Sequence, residues 1–230
     1  MITPARLYDI LLAAYGPQDW WPGDTPFEVA VGAVLTQNTA WSNVQKAILA
    51  LKARHAMTAD GILALSPAQL EASIRPAGFY HVKAEYLRTL AVWIRQRAGG
   101  DLSSLADEQT ALLRKELLAL RGIGPETADS ILLYAIGKPV FVVDAYTQRI
   151  GTRLGMLQQR PARDQVQQAF TRQLPQDARL FNEFHALLVH LAKDHCQARP
   201  LCLGCPLGAD CPSNLKTPVH GAVTSRRRAL

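Results

Sequence analysis

Helical periodicity runs through almost the whole chain, and it restricts the fold more than any other feature. Apolar residues recur every three or four positions, whereas the two-residue alternation of half-buried strands is almost absent. Clusters of glycine and proline break this pattern about every ten to fifteen residues, as expected between short helices. We therefore predict an all-α protein. The main breaks are Pro22 to Pro26, Ser66-Pro67, Pro76 to Gly78, Gly99-Gly100, Gly122 to Pro125 and Gly137 to Pro139.

Size and charge set weaker limits. The 230 residues, 48% of them apolar, are enough for one large domain or two smaller lobes around a buried core. The formal charge of +6 falls to +2 without residues 214–230, because that segment holds four lysine and arginine residues and no acid. We predict that this basic tail is disordered. The remaining surplus suits a phosphate-binding surface but does not by itself indicate nucleic acid.

The sequence predicts neither a membrane protein nor an exported one. It has no uncharged apolar run of about eighteen residues. The N-terminus carries Arg6 and Asp9 and has no small-residue cleavage site. We expect a cytoplasmic, nucleoid-associated monomer.

Residues 117–128 read Leu-Leu-Ala-Leu-Arg-Gly-Ile-Gly-Pro-Glu-Thr-Ala, which predicts a helix-hairpin-helix. Gly122 and Gly124 can adopt positive φ and lack a Cβ, so backbone N–H groups there can approach a phosphate. Ile123 would anchor the turn in the core. Pro125 suits the first turn of the next helix, whose N-terminus favours an anion. The alternative is an ordinary turn between packed helices, but the long helix that follows favours DNA binding.

Asp144 is expected to lie beside this hairpin. A helix from Pro125 to about Ile136 travels roughly 18 Å at about 1.5 Å per residue. The apolar segment Pro139–Val143 should then return, extended, over roughly 17 Å. An aspartate before a new helix is ordinarily an N-cap. Near a bound phosphate, its carboxylate would also stabilise the positive charge that develops on a sugar as an N-glycosidic bond breaks.

Three features together resemble the endonuclease III branch of the helix-hairpin-helix DNA glycosylases. They are Leu120 to Ala128, Val142-Val143-Asp144 and a four-cysteine cluster near the C-terminus. The resemblance covers roughly residues 20–213. It implies a six-helix lobe over residues 24–138, a second lobe made of residues 1–23 and 139–213, and an active site between them. It further implies that the partner is double-stranded DNA with a damaged base, that Asp144 is catalytic, and that the DNA contacts Gly122, Ile123, Gly124 and Thr127.

Position 126 limits the reaction. Superfamily members that also cut the strand carry a lysine nucleophile where this chain has Glu126, and a carboxylate cannot form the Schiff base that strand cleavage needs. We predict a monofunctional glycosylase in which Glu126 is the second catalytic residue. In the branch that removes mismatched adenine, a catalytic glutamate would align near Ala33, where alanine can do no acid-base work.

The chain is most similar to the 3-methyladenine glycosylase III type, through Trp20-Trp21-Pro22, the segment Val34 to Thr39 and the hairpin. A methylated purine is a cation and a good leaving group, so an aromatic pocket near a carboxylate would bind it with little need for acid catalysis. We predict that Trp20, Trp21 and Trp41 line this pocket, with packing as the alternative role for a tryptophan.

A flipped base leaves a gap in the duplex, which such enzymes fill with inserted side chains. Gln37 and Asn38 are predicted to plug the gap, and Phe79 or Tyr80 to act as the wedge. The alternatives are that Gln37-Asn38-Thr39 only breaks one helix and caps the next, and that Pro76–Lys83 is a plain loop.

All four cysteines lie in one loop. Five residues separate Cys196 from Cys202, two separate Cys202 from Cys205, and five separate Cys205 from Cys211. This spacing indicates one metal centre. By resemblance it is a 4Fe-4S cluster, although the first spacing in the family is six residues; Zn²⁺ is the alternative.

Histidines 185, 190 and 195 are five residues apart on one predicted helix. Successive rings therefore rotate by about 140° and cannot share a ligand face. We interpret them as structural.

Two other functions stay open at this stage. One is an endonuclease III-type glycosylase for oxidised pyrimidines, with weak or no AP lyase activity. The other is a DNA-binding or damage-sensing protein that no longer cleaves, against which Asp144 argues.

Overall fold

The computed structural model describes residues 2–18, 20 and 23–214. Over these ranges the chain forms short-linked α-helices and no β-strand, so the predicted all-α class is confirmed. None of the helices in this part of the chain is both long and apolar enough to cross a membrane. The predicted tail, apart from residue 214, lies outside the described residues. The helices are α1 (Pro4–Tyr15), α2 (Pro26–Leu35), α3 (Trp41–Lys52), α4 (Ala59–Ala64), α5 (Pro67–Ile74), α6 (Tyr80–Ala98), α7 (Thr110–Ala119), α8 (Pro125–Ser130), α9 (Ala145–Arg153), α10 (Arg163–Thr171) and α11 (Ala178–Asp194).

Local sequence signals determine where the helices begin. A threonine or serine side chain caps α1, α2, α4 and α5 by accepting a backbone N–H bond. Proline occupies the first turn of α1, α2, α5 and α8, where its missing N–H breaks no helical bond. In α5, Ser66 and Gln69 form a full capping box.

Helix α2 lies at the centre of the first half of the molecule. Eight of its ten residues are buried. It packs against α3, α6, α8 and the π-helical segment Ile131–Ile136, which continues α8. Helices α4 and α5 pack on α6, which closes this group.

The second group consists of α1, α9, α10 and α11. Helix α11 contacts α1 and α9, and α10 contacts the same two helices. The π-helical segment contacts both α2 and α11, so the two groups share one apolar core. The lobe boundaries at 24–138, and at 1–23 with 139–213, stay a prediction. Four phenylalanines pack ring against ring in this second group: Phe141, Phe170, Phe181 and Phe184.

The chain returns from α8 to Asp144 in three steps. The π-helical segment is entirely buried. Gly137, with φ of 80°, ends it in a left-handed conformation, and its N–H donates to the Leu132 carbonyl. Residues 139–143 then run without helical structure to Asp144, which directly precedes α9. Phe141 and Val143 in this segment are buried.

The two hairpin glycines have different roles. Gly122 has φ of 84°, and a Cβ built on it would lie 2.2 Å from ring atoms of Tyr86. Gly124 has φ of −84°, so it does not use the left-handed region, and a Cβ there would meet nothing within 4 Å. Ile123 between them is buried, as predicted.

Candidate active site

Asp144 caps α9 and also faces a buried histidine. Its Oδ1 accepts the backbone N–H of Thr147 at 2.7 Å and the Thr147 hydroxyl at 2.8 Å. Its Oδ2 lies 3.5 Å from Nε2 of His185 on α11, and the aspartate side chain is only 13% exposed. Burial alone would raise the pKa of Asp144, but His185 and Thr147 outweigh it and lower the pKa below its ordinary value.

Tyr134 extends this arrangement to a third side chain. Its hydroxyl lies 2.5 Å from Nδ1 of His185. Burial, together with the Asp144 carboxylate, raises the pKa of Tyr134 well above its ordinary value. The phenol therefore keeps its proton.

Glu126 lies in the first turn of α8, directly after the hairpin. Although the residue as a whole is exposed, the surrounding protein removes enough water from its carboxyl to raise its pKa. The charge of Asp144 raises that pKa further, whereas Arg163 and His185 lower it. The charge of Asp144 thus acts at Glu126, in the first turn of the hairpin helix. Asp144 is therefore on the hairpin side of the molecule.

A buried ion network fixes the approach to Asp144. Asp129 on α8 is fully buried and pairs with Arg114 at 2.7 Å and with Arg163 at 3.0 Å. Arg163 also donates to the carbonyl of Val143 at 2.7 Å. Since Val143 precedes Asp144, the network ties the hairpin helix to the carboxylate.

Gln37 contacts the hairpin itself. Its side-chain amide donates to the Gly122 carbonyl at 3.0 Å and to the Thr127 hydroxyl at 2.9 Å. Asn38 is exposed, with φ of 54°. The plug predicted from sequence therefore stands next to the predicted phosphate-binding turn.

Phe79 projects from the turn before α6. It adopts the left-handed conformation, with φ of 47°, and is 70% exposed. Tyr80 follows as the first residue of α6 and is half-buried, with the Arg75 guanidinium 5.8 Å from its ring centre. Of the two predicted wedge residues, Phe79 is the one free to enter a duplex.

Lys83 links the loop that holds Gln37 to the turn before Phe79. This lysine is buried, and its ammonium donates to the carbonyls of Leu35, Gln37 and Ala77 at 2.7 to 2.9 Å. Burial lowers its pKa. One ammonium group thus fixes the segment of Leu35 and Gln37 relative to the turn that contains Ala77.

The tryptophans have separate surroundings. The Trp20 ring lies 5.6 Å from the ammonium of Lys193 on α11. Trp41 begins α3 and packs over Gly32 of α2, with a ring atom 3.5 Å from where a Cβ would stand. Trp21 lies outside the described residues. Their union in one base pocket stays a prediction.

The four cysteines surround one apolar pocket between α9, the end of α11 and their own loop. All are half-buried and free of disulfides. Burial raises the pKa of the Cys205 thiol, and the other three cysteines raise it further, so the sulfurs lie close enough to interact. Across residues 2–18, 20 and 23–214, no three Cys, His, Asp or Glu side chains are grouped so as to hold one metal ion.

Two arginines of helix α9 donate hydrogen bonds to this loop. Arg149 donates to the carbonyl of Cys196 at 2.7 Å. Arg153 donates to the Cys196 sulfur at 3.2 Å and to the carbonyls of Gln197 and Ala198.

Sequence reasoning missed four side chains of this region: Tyr134, Arg163, His185 and Lys83. The spacing of the three histidines excludes a shared ligand face, and on that ground the sequence predicts a structural role for His185. That argument excludes one metal site shared by the three histidines. It does not say which residue of another helix a single histidine contacts. Lys83 gave only a weak signal in the sequence. A lysine that is buried near the ends of helices needs acceptors for its ammonium group, and helix ends supply carbonyls.

An all-helical chain with a glycine hairpin, a capping aspartate and a four-cysteine loop has the architecture of the helix-hairpin-helix glycosylases. The comparisons with known proteins agree. The chain belongs to the HhH-GPD superfamily of base excision DNA repair proteins, whose profile matches residues 31–176. The predicted class of enzyme, a DNA glycosylase, is thereby confirmed.

Several relatives match nearly end to end. A Methanocaldococcus jannaschii protein provisionally named a DNA repair glycosylase is 44% identical over 209 residues, which is 90% of this chain and 95% of that protein. Endonuclease III of Bacillus subtilis is 27% identical and covers 86% of each chain.

Solved structures agree with this fold. H. pylori 3-methyladenine DNA glycosylase bound to 1,N6-ethenoadenine is 30% identical, with a TM-score of 0.72, covering 84% of this chain and 98% of that one. Endonuclease III in a trapped covalent complex with DNA has a TM-score of 0.79 at 24% identity, covering 94% and 99%; this is a likeness of fold.

Proposed function

We propose that this protein is a monofunctional DNA glycosylase that hydrolyses the N-glycosidic bond of an alkylated purine, such as 3-methyladenine, after flipping it out of duplex DNA. The proposal is supported above all by the nearly buried Asp144 carboxylate, which Arg163 and Asp129 link to the hairpin helix, with Glu126 in the first turn of that helix. Asp144 has a lowered pKa and Glu126 a raised one.

The reaction follows from these charges. As the bond between sugar and base breaks, its electron pair leaves with the base and the sugar becomes cationic. The ionised Asp144 stabilises that cation. A water molecule then adds to the anomeric carbon and loses a proton, which leaves an abasic sugar. The backbone N–H groups around Gly122 to Gly124 hold a phosphate and so fix the strand.

Glu126 sets the limit of the chemistry. A carboxylate cannot form a Schiff base with the sugar, so the strand stays intact. The charged groups that shift the pKa of Glu126 are Asp144, Arg163 and His185. Its own raised pKa suits a group that contacts the leaving base.

The substrate class is inferred from charge. A methylated purine carries a positive charge, which two carboxylates attract and which makes the base a good leaving group. The similarity to a glycosylase solved with an adenine derivative supports this choice. Trp20, Trp21 and Trp41 are the proposed pocket, Gln37 and Asn38 the proposed plug, and Phe79 the proposed wedge.

Two other functions have support from particular observations. An endonuclease III-type glycosylase for oxidised pyrimidines is favoured by the endonuclease III relatives. A non-catalytic DNA-binding protein would keep the hairpin and the Phe79 wedge, but it has no need of a nearly buried carboxylate.

For the cysteine loop we propose a 4Fe-4S cluster held by Cys196, Cys202, Cys205 and Cys211. Four thiols that line one pocket suit a cluster of this kind, and a Zn²⁺ with four sulfurs at about 2.3 Å is the alternative. When bound, the cluster would supply a structural cross-link for the loop. Colour and visible absorption test the choice, since a zinc protein is colourless.

A base-release assay tests the function. Duplexes that contain 3-methyladenine, thymine glycol, uracil or mismatched adenine are incubated with the protein, with and without later alkali. We expect release of the alkylated base, with strand breaks only after alkali. Nicks without alkali would contradict a monofunctional enzyme, and release of thymine glycol alone would favour the pyrimidine alternative.

Two variants separate catalysis from capping. Asp144→Asn should abolish release and keep DNA affinity. Asp177→Asn is its matched control, because Asp177 also caps a helix, by accepting the N–H bonds of Arg179 and Leu180, but lies at the start of α11. Equal activity of Asp144→Asn and the wild type would refute the catalytic assignment. In Glu126→Lys, covalent trapping on DNA by borohydride should appear if residue 126 faces the sugar.

A further inference from the structure

Tyr134 and His185 form a buried pair that the proposed hydrolysis leaves without a role. Both residues are under 10% exposed. Nδ1 of His185 faces the Tyr134 hydroxyl at 2.5 Å, and Nε2 faces Oδ2 of Asp144 at 3.5 Å. In the described part of the chain, this Nε2 atom is buried and makes no hydrogen bond of standard geometry. A buried N–H without a partner is costly. The acceptor that this one faces is Oδ2 of Asp144.

The hydrogen-bond roles follow from the phenol. Because Tyr134 stays protonated, its O–H donates to Nδ1 when the imidazole is neutral, which leaves the ring proton on Nε2. If the imidazole gains a second proton, Nδ1–H donates to the phenol oxygen instead. In both states an N–H points from Nε2 toward Asp144.

We propose that His185, oriented by Tyr134, is a positioning residue that keeps the Asp144 carboxylate ionised and holds Oδ2 in place for the sugar cation. This inference rests on the proposed catalytic role of Asp144. Oδ1 is already occupied by the two Thr147 donors, so Oδ2 is the oxygen left to be directed. Triads in which a third group fixes the tautomer of a histidine work by the same physical logic.

The pH dependence can be given a sign. Catalysis needs the carboxylate, so activity is present above the pKa of Asp144 and is lost as the pH falls through it. Removing a donor raises that pKa and moves the acid limb to higher pH. The other charged groups at this place are Arg163 on α10, whose guanidinium donates to the Val143 carbonyl, and Glu126 on α8, whose own pKa the charge of Asp144 raises.

The test is a single-turnover base-release profile between pH 3 and 9, with release in the absence of protein subtracted at each pH. For His185→Leu we expect the acid limb to rise by about one pH unit, and the rate below it to fall about tenfold. His185→Gln restores most of the activity, because its amide N–H occupies nearly the place of Nε2. Tyr134→Phe shifts the limb in the same direction by less. His190→Gln, on the same helix, is the matched control and keeps the wild-type profile.

The outcomes distinguish the two claims. If Asp144→Asn is inactive and both His185→Leu and Tyr134→Phe keep the wild-type profile, the positioning role is overturned and the proposed function survives. If Asp144→Asn stays active, the proposed function fails with it. A merely structural role would lower the rate equally at every pH. Should His185→Leu not fold, judged by circular dichroism, an unshifted Tyr134→Phe profile alone overturns the proposal.

Discussion

Replacing each hairpin glycine by alanine gives the sharpest test of how the turn is built. The two positions are only two residues apart in sequence, but their surroundings are entirely different. At Gly122 the backbone has φ of 84°, and an added methyl would lie 2.2 to 2.3 Å from three ring atoms of Tyr86. At Gly124 the backbone is ordinary and the space is open.

The expected free energies follow from these two environments. Gly122→Ala forces an alanine into the left-handed region, which costs about 1–2 kcal/mol, and pushes the half-buried Tyr86 ring aside, which costs about 1–3 kcal/mol more. The sum is a loss of about 2–5 kcal/mol in the free energy of unfolding. Gly124→Ala should change stability by less than about 1 kcal/mol and in the favourable direction, because it lowers the entropy of the unfolded chain.

Urea unfolding at constant m-value measures both effects, and DNA affinity gives an independent readout. Gly124→Ala places a methyl in front of the proposed phosphate-binding N–H groups, so its affinity for any duplex should fall although its stability does not. The double variant Gly122→Ala with Tyr86→Ala isolates the backbone cost, since the ring clash is then absent. Equal destabilisation by the two alanines would refute the assignment of separate roles.

Four further predictions concern other residues. Asp129→Asn leaves two arginines facing a neutral, fully buried side chain and should cost about 3–5 kcal/mol in urea unfolding; a loss under 1 kcal/mol would mean that the network is dispensable. Lys83→Met strips three carbonyls of a donor and should cost about 1–3 kcal/mol, with a matching loss of DNA affinity that Lys83→Arg partly restores. Phe79→Ala removes an exposed ring, so stability should stay within about 0.5 kcal/mol while base release falls; unchanged release would exclude it as the wedge. Asp144 has a lowered pKa in the fold, so its carboxylate stabilises the protein above the ordinary pKa of 3.8 and loses this contribution as the pH falls through the folded value; stability measured against pH should lose that component in Asp144→Asn.

The parts of the fold that were predicted depend on neighbours in sequence. Helix periodicity, proline at the first turn of α8 and the cap at Asp144 all act within a few residues, and the structure has them as expected. The extended return to Asp144 was also predicted, from the length of one helix and one apolar segment. The π-helical turn was not, because it depends on packing from both halves of the core.

The site is less predictable because its supporting contacts are long-range. His185 reaches Tyr134 across 51 positions, and Lys83 reaches Leu35 across 48. A periodic pattern indicates that such a residue faces inward, but not which group it meets there. The conformation of Gly124 shows a second limit: a glycine pattern predicts freedom of the backbone and not whether that freedom is used.

Helix α9 connects the candidate active site to the cysteine loop. Asp144 precedes the first residue of this helix, and Arg149 and Arg153 follow it by five and nine residues, about 8 and 14 Å along the helix axis. Because Arg149 and Arg153 bind the cysteine loop and Asp144 caps the same helix, a change that displaces the loop is expected to move the carboxylate as well.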